Sequence, residues 1–115
     1  IDEKRIIFKI PTSRDEFLKN LAEFDMVLDT FPYSGGTNNL ESAWLEIPIL
    51  TMEGNNFLSR CGSSVNMNLG MKDWIAKNNE ELGKLTWRLS NNKCSIEVFK
   101  IFFFKKSTLP IDYIF

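Results

Sequence analysis

The sequence predicts an α/β fold, a small parallel sheet with helices on its faces. Three observations carry that expectation. Short apolar runs alternate with stretches of helical period in the order β-α-β-α-β-α, a pattern that brief connections satisfy with crossover helices. One run, Met26-Val27-Leu28, is apolar without interruption, as strands covered on both faces are. A turn bearing proline and paired glycines, Phe31 to Gly36, separates that run from the next helical stretch.

The elements follow in order. Arg5-Ile6-Ile7-Phe8-Lys9 has the β-branched and aromatic content of a short strand. Ser13-Arg14-Asp15-Glu16 fits a capping box, in which a serine oxygen takes an orphan amide while the glutamate reaches back. Phe17, Leu18, Leu21 and Ala22 then form the one-sided apolar stripe of a helix. Asp25 to Thr30 is the second strand. Thr37-Asn38 open a helix through Leu40, Ala43, Trp44 and Ile47, which Pro48 ends, because its ring disfavours helix at the preceding residue. Pro48 to Met52 is the third strand. A helix is expected from about Phe57 to about Asn68, stopped by Gly70, and another from Asn79 to Leu89, weakened by Gly83. Trp74-Ile75-Ala76 is apolar but too short to type. No repeat and no linker is visible.

The chain has 115 residues, the size of one domain. Its 14 basic and 15 acidic residues nearly cancel, which argues against a nucleic-acid partner. It has no histidine, which excludes a Ser–His–Asp triad and any His-ligated metal within the chain. Its cysteines, Cys61 and Cys94, can pair only with each other; with no signal peptide in view, reduced thiols and a cytoplasmic location are expected. No segment approaches the roughly 20 apolar residues of a membrane span.

The stretch Asp29 to Glu41 can carry chemistry. It lies where a strand gives way to a helix, the place where ligands bind in open parallel sheets. The first amides of that helix lack partners and sit at the positive end of its dipole. Gly35 and Gly36 allow close backbone approach, and Thr37 and Asn38 add a hydroxyl and an amide. Together they suit a phosphate or diphosphate. Glu41, one helical turn on, suits the hydroxyls of a ribose. The plain alternative is a turn with capping residues. The pattern is neither a Walker loop nor a dinucleotide fingerprint.

Asp29-Thr-Phe-Pro-Tyr-Ser-Gly-Gly-Thr-Asn-Asn-Leu-Glu-Ser-Ala-Trp44, Ile47-Pro-Ile-Leu-Thr-Met-Glu-Gly54, Ser59-Arg-Cys-Gly-Ser-Ser64 and Asp73-Trp-Ile-Ala76 together resemble the O-GlcNAc transferase family, most of all its bacterial members. The likeness runs from Arg5 to Leu89 in unbroken order. It implies the C-terminal, donor-binding part of a GT-B glycosyltransferase, a Rossmann-like half that binds a UDP-sugar, typically UDP-GlcNAc, for transfer to a protein Ser or Thr hydroxyl. It implies neither metal nor other cofactor. It implies as partners a protein acceptor and the N-terminal catalytic half with its TPR region, without which the chain is expected to be inactive. The diphosphate-cradling pair falls on Thr37 and Asn38, where the family more often has Thr at the second position. The ribose-binding acid falls on Glu41 and a basic residue near the uracil on Arg14. Phe17 and Gly36 stand where animal members have imidazoles; Phe17 can stack on a base, but its bland reading is a core residue.

Glu46 replaces a glycine of the family's Trp-x-Gly-x-Pro, where a left-handed helix cap is expected. Arg60 reads as structural, pairing with an acid or facing the donor loop. Cys61 reads as a small buried residue, and Trp44, Trp74 and Trp87 as packing residues. Neither Asp25 nor Asp29 has an obvious second carboxylate for acid–base work, and no catalytic residue is nominated. The domain is placed at 1–92. The aromatic-rich tail, 93–115, where the resemblance fades, reads as an apolar C-terminal helix, a diverged segment or the product of a shifted frame.

Overall fold

The computed structural model describes residues 2–92. The expectations for the tail and for Cys94 lie outside that range. The regular elements are α1 (Arg14–Leu21), β1 (Val27–Leu28), α2 (Gly36–Trp44), β2 (Ile49–Met52), α3 (Cys61–Leu69), β3 (Ile75–Ala76) and α4 (Asn79–Ser90), with single 3-10 turns at Glu3–Arg5, Leu58–Arg60 and Lys72–Trp74. Among the described residues no helix is long and apolar enough to cross a membrane.

The sheet is parallel, in the order β1-β2-β3. Val27 lies opposite Ile49 and Leu28 opposite Leu50, while Thr51 lies opposite Ile75 and Met52 opposite Ala76. All four residues of β2 are buried, so the central strand is covered on both faces. Its side chains alternate, as a pleated strand requires. Leu50 and Met52 join Trp74, Ala76, Leu85 and Leu89 under α4, and Ile49 joins Ala43 and Leu69 beneath α2 and α3. Buried Asn66 ties α3 to the sheet by donating from Nδ2 to the carbonyls of Ile49 (2.7 Å) and Trp74 (3.3 Å).

The helix ends follow local chemistry. Ser13 Oγ accepts from the Glu16 amide, as the capping box requires, but the Glu16 carboxylate accepts from the amide and hydroxyl of Thr12 rather than closing on Ser13. Asn78 caps α4 by accepting from the Glu81 amide. Gly70 ends α3 in the left-handed region at φ 77°. Glu46 also sits there, at φ 61°, with Glu46 N–H donating to the Ala43 carbonyl and Ile47 N–H to that of Ser42, a Schellman pair built on a residue with a Cβ.

Two expectations are corrected. Arg5 to Lys9 form no strand: Arg5 closes a 3-10 turn, and Ile6 to Ile10 run on exposed, with Phe8 at 89 %. Strand-like composition there meets no sheet edge, and a strand is defined by its partner. Trp44 and Trp87 are both 72 % exposed, and of the three tryptophans only Trp74 is core. The third strand of the sheet is instead Ile75–Ala76, in the apolar segment left untyped above.

A candidate anion-binding site at the start of α2

Two connections converge at the carboxyl ends of β1 and β2. Asp29 follows β1 directly, the loop Thr30–Ser34 leads to α2, and Glu53 and Gly54 follow β2. Gly35 is the N-cap of α2, in extended conformation at φ −73°, and no side chain caps the helix. Its own N–H donates to Asp29 Oδ1 at 2.8 Å, and its carbonyl accepts from Asn39 N–H. The amides of Gly36, Thr37 and Asn38 are therefore the helix's open donors, as the first turn of any helix leaves them. Gly36 is exposed, and a Cβ there would meet nothing within 4 Å, so the approach to these amides is clear. The side chains of Thr37 and Asn38 are exposed and make no hydrogen bond among the described residues.

Glu41 lies on the same helix, one turn further. Its side chain is only 12 % exposed, and Oε1 lies 2.6 Å from a guanidinium nitrogen of Arg14, which is 70 % exposed. The contact is an ion pair without the alignment of a hydrogen bond, so Oε1 keeps its acceptor capacity. The start of α1 and the second turn of α2 thus meet through two residues expected near the same ligand.

Phe17 stands on α1 three residues after Arg14. It is half-buried and lines a cavity of about 540 Å³ with Ile7, Phe8, Pro11, Leu21 and Phe24. A larger groove, about 790 Å³, opens on the other flank of the α2 start, between Gly36 and Leu40 on one side and Asn56, Phe57 and Arg60 on the other. Arg60 faces Glu53 across 3.5 Å, an exposed pair of little energetic weight. Cys61 is half-buried, its Sγ 3.4 Å from the Phe57 carbonyl oxygen.

Asp29, which the sequence set aside only as lacking a second carboxylate, is the hub of the turn. It is 8 % exposed and accepts hydrogen bonds from Ser34 Oγ, Thr51 Oγ1 and the amides of Gly35 and Thr30. The available signal was an aspartate closing a strand just before a Ser-Gly turn, a position where Asp side chains bind nearby backbone amides.

Residues 1–109 match the model of glycosyl transferase family 41. A probable UDP-N-acetylglucosamine–peptide N-acetylglucosaminyltransferase, SPINDLY, of Petunia hybrida is 33% identical over 72 residues, covering 63% of this chain and 8% of that protein. A UDP-N-acetylglucosamine–peptide N-acetylglucosaminyltransferase of Caenorhabditis elegans is 27% identical over 92 residues, 80% of this chain and 8% of that protein. Among solved structures, a variant of the Thermobaculum terrenum O-GlcNAc transferase superposes with a TM-score of 0.78 at 27% identity, covering 83% of this chain and 18% of that one. The chain therefore spans a small part of the length of each protein it matches.

Proposed function

The chain belongs to glycosyl transferase family 41, and we propose that it supplies the surface that holds the nucleotide diphosphate of a UDP-sugar donor. The observation that carries this reading is the first turn of α2. Three open amides, two unengaged polar side chains and a buried carboxylate with spare acceptor capacity lie within the first two turns of one helix. The amides and the helix dipole suit the diphosphate, whose charge develops further as the sugar departs. Thr37 and Asn38 add donors at its rim. The Glu41 carboxylate, held by Arg14, suits ribose hydroxyls, and the exposed Arg14 guanidinium lies beside the same ligand. Phe17 in its own cavity fits the core reading better than a stacking role.

The relatives are named for N-acetylglucosamine transfer to peptides, and the same sugar and acceptor class are taken for this chain. In this proposal, transfer to a Ser or Thr hydroxyl requires an N-terminal half and TPR region beyond this chain, and residues 1–92 form the donor-binding unit. Bound alone, the chain holds UDP and transfers nothing.

A second reading, an interaction module that has kept the fold and lost the ligand, is favoured by the exposed apolar side chains of Ile7, Phe8 and Ile10. One experiment separates the two: the thermal midpoint with and without UDP, for the parent and for Glu41→Ala. Ligand at about 100 times its Kd adds about 2.7 kcal/mol, a rise of order 10 °C for a domain of this size. A rise in the parent that shrinks in the variant supports donor binding. A folded parent that UDP leaves unmoved favours the module.

A further inference from the structure

We propose that Asp29 is a positioning residue that fixes the turn from which the α2 amides reach the ligand; the inference rests on the nucleotide-binding reading above. The argument begins with a count of donors. Asp29 Oδ1 accepts from the backbone amides of Gly35 (2.8 Å) and Thr30 (3.0 Å). Oδ2 accepts from Ser34 Oγ (2.5 Å) and Thr51 Oγ1 (2.8 Å). An ionised carboxylate is an acceptor only, with about four lone-pair sites, so this set is filled.

The network has one possible direction. Ser34 Oγ accepts from the Gly62 amide (2.8 Å) and from Asn39 Nδ2 (3.3 Å), which occupies both its lone pairs. Its single proton is therefore committed to Asp29. An amide at position 29 would present N–H to an oxygen with nothing left to accept it. Gly62 shows how closely the parts are fitted: a Cβ there would lie 2.1 Å from Asp29 Oδ2 and 2.5 Å from Thr51 Oγ1.

Through these bonds one carboxylate joins the end of β1, the middle of the sheet, the N-cap of α2 and the first turn of α3. The open amides of Gly36 to Asn38 project from a turn already held in place, so less order has to be imposed when ligand arrives. Asp29 itself is buried and reaches its effect through Gly35 and Ser34.

The test uses the 115-residue chain, titrated with UDP and, separately, with uridine, which lacks the diphosphate. Asp29→Asn and Ser34→Ala are expected to weaken UDP binding about tenfold, the effect of about 1.4 kcal/mol, and to leave uridine affinity unchanged. Asn66→Ala removes a buried donor outside this network; it is expected to lower the thermal midpoint and leave UDP affinity as in the parent. Circular dichroism fixes a temperature at which each variant is folded, and Ser34→Ala carries the test if Asp29→Asn does not fold. Parent-like UDP affinity in folded Ser34→Ala overturns the proposal. So does equal weakening of UDP and uridine, or weakening of UDP by Asn66→Ala to the same degree, since each indicates general support of the fold. A parent that binds no UDP defeats the nucleotide reading itself, and the proposal with it.

Discussion

Glu46 offers a substitution whose sign and size follow from one dihedral angle. At φ 61° its Cβ crowds the following carbonyl oxygen. That conformation costs an L-residue about 1–2 kcal/mol relative to glycine. Glycine brings greater freedom to the unfolded chain, an opposing effect of about 0.5–1 kcal/mol. The side chain of Glu46 makes no hydrogen bond or ion pair among the described residues, so its removal forfeits no partner. Glu46→Gly should therefore stabilise the chain by about 0.5–1 kcal/mol, or about 3–6 °C in thermal midpoint for a domain of this length. Glu46→Ala keeps the Cβ and removes the charge, so it should stay near the parent. The assay is thermal unfolding of all three, repeated in urea to confirm an unchanged slope. Because the cap leads into the amino end of β2, away from the start of α2, UDP affinity should not move. A midpoint for Glu46→Gly at or below the parent's, or an Ala variant that gains as much as the Gly variant, refutes the reasoning.

Three further outcomes are expected. Asn66→Ala leaves the buried carbonyls of Ile49 and Trp74 without their shared donor and should destabilise by about 2–3 kcal/mol, read as a lower urea midpoint; a loss below about 0.5 kcal/mol, the range of ordinary surface changes, would show that the bridge carries little. Gly62→Ala places a methyl carbon against the Asp29 carboxylate and should abolish cooperative unfolding or lower the midpoint by more than any other single change named here; parent-like melting would contradict the packing. Hydrogen bonds from the Thr12 amide and hydroxyl hold the Glu16 carboxyl below its ordinary value. Its stabilising contribution is therefore present above the usual glutamate range, about 4.3, and is lost as pH falls through the folded-state value. Glu16→Gln should be less stable than the parent at neutral pH and converge with it in acid, and a difference independent of pH would count against this.

The parts of the fold legible in the sequence were those decided locally. Ser13 and Gly70 mark helix ends because capping is settled by a few neighbouring atoms. Pro48 disfavours helix at Ile47 and leaves Ile49 to Met52 as a strand, but α2 ends before that limit, at Trp44 rather than Ile47, because the chain turns left-handed at Glu46. The left-handed conformation at Glu46 was visible only through the resemblance, which puts a glycine at that position. What failed depended on partners. Arg5 to Lys9 have the right composition for a strand and no edge to join. Trp44 sits on the α2 helix at a position whose exposure is set by what lies opposite, which no helical period reveals. The site divides the same way. The open turn at Gly35 to Asn38 and the position of Glu41 follow from spacing along one helix. The Arg14–Glu41 pair joins two helices, and the Asp29 network joins residues far apart in sequence, so neither could be read from the chain alone.

The central strand has a kinetic consequence. β2 pairs in parallel with both neighbours, so each pairing closes a loop that contains at least one whole helix and no hairpin is available as a starting point. Loop closure must precede any reward from the sheet. Helices such as α4, with a capped start and a local apolar face, can flicker into place first and offer Leu85 and Leu89 as a surface on which Leu50 and Met52 collapse. Folding should then be slower than in a helical bundle of the same length. The amides of Leu50 and Thr51 should be the last to exchange with solvent, because exposing them dismantles the sheet from both sides at once.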